Sequence, residues 1–119
     1  MKLLRNAPGR FIKSFGYSWS GLRATFRKEE SFRLESIAFV MLLAGLTASG
    51  WPPWKQLAMT AGFLLIPLVE ILNSAIEDVC DLITRDHSEL VKNAKDKGAL
   101  AVLAAIIVNA VLLAALVLA

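Results

Sequence analysis

The sequence predicts an all-α, polytopic membrane protein: a single domain over residues 1–119, with three transmembrane helices after an amphipathic surface helix. Of its 119 residues, 56% are hydrophobic and 19% are charged, whereas soluble domains average about 45–50% apolar and about 25% charged residues. A chain this short has too little interior to hide that much apolar surface from water. The single cysteine, Cys80, excludes an internal disulfide framework and a multi-cysteine metal site. These observations argue against a soluble enzyme and against a disordered chain.

The first predicted element is a surface helix over about residues 6–28. Its apolar side chains recur at spacings of 4, 4, 3 and 4 residues, and they are Phe11, Phe15, Trp19, Leu22 and Phe26. At helical spacing these side chains form one aromatic-rich stripe, which we call the aromatic stripe. A basic amphipathic helix next to a membrane span is typical of a helix that lies on anionic lipid. A plain surface anchor is the alternative.

Three apolar segments are long enough to cross a hydrocarbon core of about 30 Å. The first, about residues 32–51, includes charged residues at its edge, and a turn containing two prolines follows it. The second covers about residues 54–83, and its length of roughly 45 Å predicts an extension into the cytoplasm. The third covers about residues 87–118. Asp86, followed by Glu89 three residues later, predicts a capping box in which Asp86 caps this helix.

Basic residues are distributed asymmetrically around these spans. Eight lie within residues 1–33, up to the edge of the first span, and four lie within residues 85–97, around the turn between the second and third, whereas only Lys55 lies near the turn between the first and second. The positive-inside rule therefore predicts that the N-terminus is cytoplasmic and that the C-terminus is on the opposite side.

The end of the second span carries a run of polar residues, which we call the polar stripe. Glu70, Asn73, Glu77 and Asp81 are spaced at i, i+3, i+7 and i+11, which places them on one helix face. A charge deep in a bilayer costs about 2.5–3.5 kcal/mol on insertion scales, so such residues are functional candidates. Glu70 is predicted just inside the inner hydrocarbon edge, roughly 24 Å along the helix, and Glu77 among head groups or water. Contacts that hold subunits together are the structural alternative.

The hairpin of the second and third spans is predicted to bring Lys95 and Asp96 to the height of Glu77. Beside a metal-bound polyphosphate such a lysine would neutralise charge, and a structural ion pair is the alternative. The polar stripe thus places one carboxylate where it can meet a lipid and one where it can meet a soluble, charged ligand. A pore-lining stripe in a non-enzymatic oligomer, for instance a channel, is the rival hypothesis.

Four blocks of sequence carry a family resemblance: GYSW at 16–19 with GLRA at 21–24, Phe32-Arg33 with Glu35, VEILNSAIE at 69–77, and AKD at 94–96 with Gly98. Together they resemble the bacterial integral-membrane diacylglycerol kinases of the Gram-negative type. The similar undecaprenol kinases share much of the third block, so undecaprenol is the alternative acceptor. The resemblance implies a homotrimer in the inner membrane, with a periplasmic C-terminus and composite sites between subunits. It implies γ-phosphoryl transfer from ATP to diacylglycerol, which gives phosphatidic acid, and it implies no nucleic-acid partner.

The resemblance also implies a role for individual residues. It implies that Glu70 is the general base, that Asn73 supports the catalytic site, and that Glu29 and Glu77 hold the metal that accompanies ATP, Mg²⁺ with Zn²⁺ as the alternative. Further ATP contacts are implied for Arg10, Tyr17, Asp86, His87, Ser88, Lys95 and Asp96. Besides Glu70, lipid-substrate contacts are implied for Arg10, Tyr17, Ser18, Trp19, Arg23, Phe32, Arg33 and Glu35. The sequence departs from the usual family pattern at residues 86–88, 92, 93 and 99, which puts the ATP contacts of 86–88 in question.

Overall fold

The computed structural model describes residue 5 and residues 7–119, and every regular element within them is an α-helix. The predicted all-α fold class is therefore confirmed. By length and composition three of these helices can cross a membrane, as expected for a multi-pass membrane protein. The helices are α1 (Ala7–Lys28), α2 (Glu30–Ala48), α3 (Pro53–Ile83) and α4 (Glu89–Leu118).

The chain divides into two compact units, one ending at Ser36 and the other formed by residues 37–119. In the first unit only Glu29 separates α1 from α2. Arg33 Nη1 donates hydrogen bonds of 2.9 Å to the carbonyl oxygens of both Phe26 and Arg27. The guanidinium thus caps carbonyl groups that the end of α1 leaves unpaired, where a cation is also favoured by the helix dipole. Phe26 and Phe32 pack edge to face across the break, with ring centroids 6.4 Å apart.

In the second unit, the turn between α2 and α3 ends the first span early. α2 stops at Ala48, not near residue 51 as predicted. Gly50 adopts a positive φ of 74°, which an L side chain disfavours, and Pro52 is extended. Residues before a proline avoid the helical region, so Trp51 cannot continue the helix readily. Pro53 then occupies the first turn of α3, where its missing N–H costs little.

A small apolar cluster joins the three helices of the second unit next to this turn. Leu46 of α2, Met59 of α3 and Leu116 of α4 are buried together. Lys55 Nζ donates to the carbonyl oxygen of Leu116 at 3.0 Å and lies 5.6 Å from the ring centroid of Trp51. A lysine is stabilising at a helix C-terminus and over an indole face. Lys55, the single basic residue near the turn between the first two spans, therefore caps the end of α4.

The loop between α3 and α4, residues 84–88, shows that the predicted cap was wrong. Ser88, not Asp86, is the N-cap of α4, and its Oγ accepts a hydrogen bond from the backbone N–H of Val91 at 3.5 Å. The backbone N–H of Asp86 donates instead to Thr84 Oγ1 at 3.0 Å, inside the turn. Ser and Asp are similarly good N-caps. Ser88 takes the role because it directly precedes the first helical residue, Glu89.

Candidate functional site

The polar stripe lies on one uninterrupted helix, because α3 continues through Pro67 without a break. Glu70 and Asn73 are half-buried, whereas Glu77 and Asp81 are exposed. From Glu70 to Asp81 the stripe runs about 16 Å along the helix axis. The stripe therefore leads from a partly covered carboxylate to carboxylates that a water-borne ligand can approach.

An ion pair joins the exposed end of the polar stripe to α4. Lys95 Nζ lies 2.9 Å from Asp81 Oδ1, and the two side chains are 41% and 44% exposed. The backbones of Glu77 and Lys95 each lie six residues from their helix ends at the hairpin loop, as the height prediction requires. Helical side chains lean toward the helix N-terminus, however, so the lysine reaches toward the loop and meets Asp81. An exposed pair contributes about 0–1 kcal/mol, so Lys95 can exchange this carboxylate for a phosphate at low cost.

Asp96 forms an ion pair within its own helix, α4. Its Oδ2 lies 2.8 Å from Lys92 Nζ, four residues earlier, in an exposed pair. The two residues of the predicted Lys95–Asp96 motif thus use different partners, one on α3 and one on α4. Both remain accessible to a ligand from water.

Asn73 contacts α4 at a buried glycine, Gly98. A Cβ added to Gly98 would collide with Asn73 Oδ1 and would lie 3.1 Å from Asn73 Cγ. Within residues 5 and 7–119, Asn73 Oδ1 is buried and has no hydrogen-bond donor of the usual kind. It lies close to the position of the missing Cβ, so the group of Gly98 that faces it is a Cα–H bond. Any larger residue at position 98 would displace the Asn73 side chain.

In the first unit, the residues expected to contact ligands on α1 are all exposed: Arg10, Tyr17, Ser18, Trp19 and Arg23. Ser18 Oγ already donates to the carbonyl oxygen of Ser14 at 2.9 Å. A groove of 460 Å³ is lined by Trp19, Leu22, Arg23, Phe26, Arg27, Phe32 and Ser36. Three residues with predicted lipid contacts, namely Trp19, Arg23 and Phe32, therefore share one groove with an aromatic wall and two guanidinium groups.

The remaining predicted residues of the first unit lie at the break between α1 and α2. Glu29 is half-buried at the break itself, and Glu35 is half-buried on α2. Arg33, predicted to contact lipid, directs one guanidinium nitrogen to the carbonyl oxygens at the end of α1. Arg33 therefore caps the C-terminal end of α1, a role that the sequence did not predict.

The loop predicted to lie near ATP is exposed at Asp86 and His87. His87 Nε2 lies 3.1 Å from Glu89 Oε1, and both side chains are about three-quarters exposed. Ser88 is half-buried and is used as the helix cap. The ATP contacts of all three residues stay predictions.

The exposed carboxylates of this site suit a magnesium ion held mainly by a nucleotide. In the part of the chain that is described, no three His, Cys, Asp or Glu side chains converge on one point. Mg²⁺ typically keeps several waters and is bound by one or two carboxylates together with substrate phosphates. An exposed carboxylate such as Glu77 fits that coordination. The assignment of Mg²⁺ to Glu29 and Glu77 stays a prediction.

Comparison with known proteins identifies the family. Over residues 16–118 the sequence matches the family described as prokaryotic diacylglycerol kinase. The chain belongs to that family.

Individual relatives in the family carry two different names. A diacylglycerol kinase of Escherichia coli strain K12 is 42% identical over 99 residues, which cover 83% of this chain and 81% of the relative. A diacylglycerol kinase of Haemophilus influenzae is 35% identical over 95 residues, 80% of each chain. An undecaprenol kinase of Bacillus subtilis is 36% identical over 100 residues, 82% of this chain and 80% of the relative. The predicted resemblance is thus confirmed, including its similarity to undecaprenol kinases.

In this member of the prokaryotic diacylglycerol kinase family, two residues of the site have contacts that the sequence did not predict. Asp81 is the partner of Lys95, and its i+11 position in the polar stripe was the available signal. Gly98 makes room for Asn73, and its signal was an isolated glycine inside a helix, which usually has a packing reason.

Proposed function

We propose that this protein is an ATP-dependent lipid kinase that transfers the γ-phosphoryl group to diacylglycerol and produces phosphatidic acid. The observation that carries this proposal is the polar stripe of α3, whose exposed end forms an ion pair with Lys95 of α4. The chain that contains it belongs to the prokaryotic diacylglycerol kinase family. The names of the relatives support a kinase over a channel.

Glu70 acts on the lipid side of this site. The hydroxyl oxygen of diacylglycerol forms a bond to the γ-phosphorus, and the bond from that phosphorus to its bridging oxygen breaks, which releases ADP. The hydroxyl proton goes to the Glu70 carboxylate, the half-buried acid of the stripe. Asn73 lies about one turn further along α3, packs against Gly98, and orients the reacting groups.

The nucleotide side uses the exposed carboxylates and the neighbouring cations. Glu77 and Glu29 would hold Mg²⁺, which would supply neutralisation of phosphate charge. Lys95 turns from Asp81 to the phosphates and stabilises charge on the transferring group. Further contacts to ATP are made by Arg10, Tyr17, Asp96 and the loop 86–88.

The groove of the first unit accommodates part of the lipid. Its aromatic wall suits acyl chains, and Arg23 and Arg27 suit the polar region of a lipid or its phosphorylated product. The aromatic stripe of α1 is exposed along its whole length, as expected for a helix that lies in the membrane interface.

The site is completed by neighbouring copies in a homotrimer. A single chain leaves large apolar side chains exposed on α2, α3 and α4, and it is too small to enclose both ATP and a lipid. Burial of half-covered polar groups such as Glu70 and Asn73 against partner helices lowers their cost in the membrane. The distribution of basic residues supports an inner-membrane protein whose N-terminus and 84–97 region face the cytoplasm.

Lipid-dependent phosphorylation by the purified protein tests this function. The protein in detergent micelles receives MgATP labelled at the γ-phosphate, together with diacylglycerol, undecaprenol or no added lipid. Labelled phosphatidic acid in the first sample, and little product in the other two, is the expected result. Undecaprenol is the second candidate acceptor because of the 36% identical Bacillus subtilis relative, and faster labelling of undecaprenol would select it. Absence of label in both lipids would overturn the kinase assignment.

A further inference from the structure

The helices α3 and α4 meet at two contacts of the same composition, an asparagine against a glycine. Asn73 of α3 lies against Gly98 of α4, at the candidate site. Asn109 of α4 lies against Gly62 of α3, deeper in the apolar part of the hairpin. In each helix the asparagine and the glycine are eleven residues apart, close to three whole turns. The two contacts therefore share one helix face and one antiparallel register.

The deeper contact is held by a direct hydrogen bond between the helices. Asn109 is only 7% exposed, and its Nδ2 donates to the carbonyl oxygen of Gly62 at 2.8 Å and to that of Ala105 at 3.0 Å. A Cβ at Gly62 would collide with Leu112 Cδ2 and would lie 3.3 Å from Asn109 Oδ1. Only a glycine at position 62 lets the Asn109 side chain come this close to α3 without displacing Leu112. Polar side chains in membrane helices commonly hold helices together in this way.

We propose that Asn109 is a positioning residue for the candidate site, about 16 Å away along the hairpin. Its bond to Gly62 fixes the register of α3 against α4, and the register holds Asn73 at Gly98. A slip of one residue would move α4 by about 1.5 Å and rotate its contact face by about 100°. Misplacement of a reacting group by about 1 Å can cost about 100-fold in rate. The effect on turnover rests on the proposed function, whereas the effect on Asn73 does not.

Two variants remove the bond to Gly62. Asn109→Ala deletes the carboxamide, and Asn109→Ser keeps a polar group that bonds the Ala105 carbonyl within α4, which protects folding if the alanine variant is unstable. Val111→Ala is the matched control, because Val111 lies on the same helix and is 64% exposed.

The main measurement is the ¹H–¹⁵N signal of the Asn73 carboxamide in micelles, assigned with Asn73→Asp, and turnover of folded protein is the second. We expect both Asn109 single variants to shift the Asn73 signal and to lower kcat about 10- to 100-fold. Val111→Ala should change neither. An unchanged Asn73 signal in the folded Asn109 variants, even with a lower melting temperature, would overturn the inference. If the wild type phosphorylates no lipid, the proposed function fails, and the Asn73 signal still decides the inference.

Discussion

Replacement of Arg33 by methionine tests whether this side chain caps α1 or contacts the lipid. The variant keeps a long apolar stem and removes the guanidinium that donates to Phe26 and Arg27. Each hydrogen bond contributes about 0.5–1.5 kcal/mol net. The loss of two such bonds therefore weakens the end of α1 by about 1–3 kcal/mol, which corresponds to about 5- to 150-fold in a local opening equilibrium.

The backbone amide of Glu29 reports this opening directly, because it donates to the carbonyl oxygen of Thr25 at 2.9 Å. Hydrogen–deuterium exchange of that amide should accelerate about 5- to 150-fold in Arg33→Met. Amides in the middle of α4 should keep their exchange rates. Arg5→Met, which removes the same charge from an exposed arginine on the N-terminal side of α1, is the matched control.

Steady-state kinetics separates the two roles of Arg33. A capping role predicts faster Glu29 exchange with little change in the KM for diacylglycerol. Unchanged exchange at Glu29 together with a raised KM for the lipid would refute the capping argument and return Arg33 to the lipid site.

Three further outcomes test the site and its assembly. Glu70→Gln should lower turnover about 10²- to 10⁴-fold, the usual contribution of a general base, while MgATP affinity and thermal stability are retained. Kinetics and nucleotide binding measured on one preparation check this. A loss of ATP affinity with normal turnover at saturating ATP would instead assign Glu70 to the nucleotide site. Glu77→Gln should weaken MgATP binding and sharply reduce activity while the oligomer persists; normal activity at ordinary Mg²⁺ concentrations would contradict the metal assignment. Cross-linking in mild detergent should stop at trimers, and a fully active monomer at high dilution would contradict shared sites.

The helices could be predicted because a membrane leaves few alternatives. Backbone groups in lipid must be satisfied within the segment, so long apolar runs such as residues 98–118 have to form helices. The polar stripe followed from the helical period alone. The predicted height of Lys95 was also sound for the backbone, since it matches that of Glu77.

The remaining features depend on side-chain direction and close approach, which spacing alone does not specify. Lys95 meets Asp81 because its side chain leans toward the start of α4. The Asp86 cap was mispredicted because Ser88 also satisfies the capping preference and lies nearer to the helix start. Gly98 and Arg33 gained their roles from contacts with Asn73 and with the end of α1, and no periodicity reports such contacts.

The eleven-residue spacing of the asparagine–glycine contacts has a consequence for membrane thickness. An interval of eleven residues equals three turns of about 3.67 residues, close to the 3.6 of a straight α-helix, so both contacts stay on one helix face without a bend. Inserting one residue between Gly62 and Asn73 would turn the polar stripe by about 100° relative to the deeper contact. Both contacts are kept only if any length change is close to a whole number of turns and is matched in both helices, so the segment between them stays at about 16 Å, half of the hydrocarbon core. Adaptation to thicker or thinner bilayers must occur by tilting or at the outer ends of α3 and α4, with the distance between the two contacts held constant.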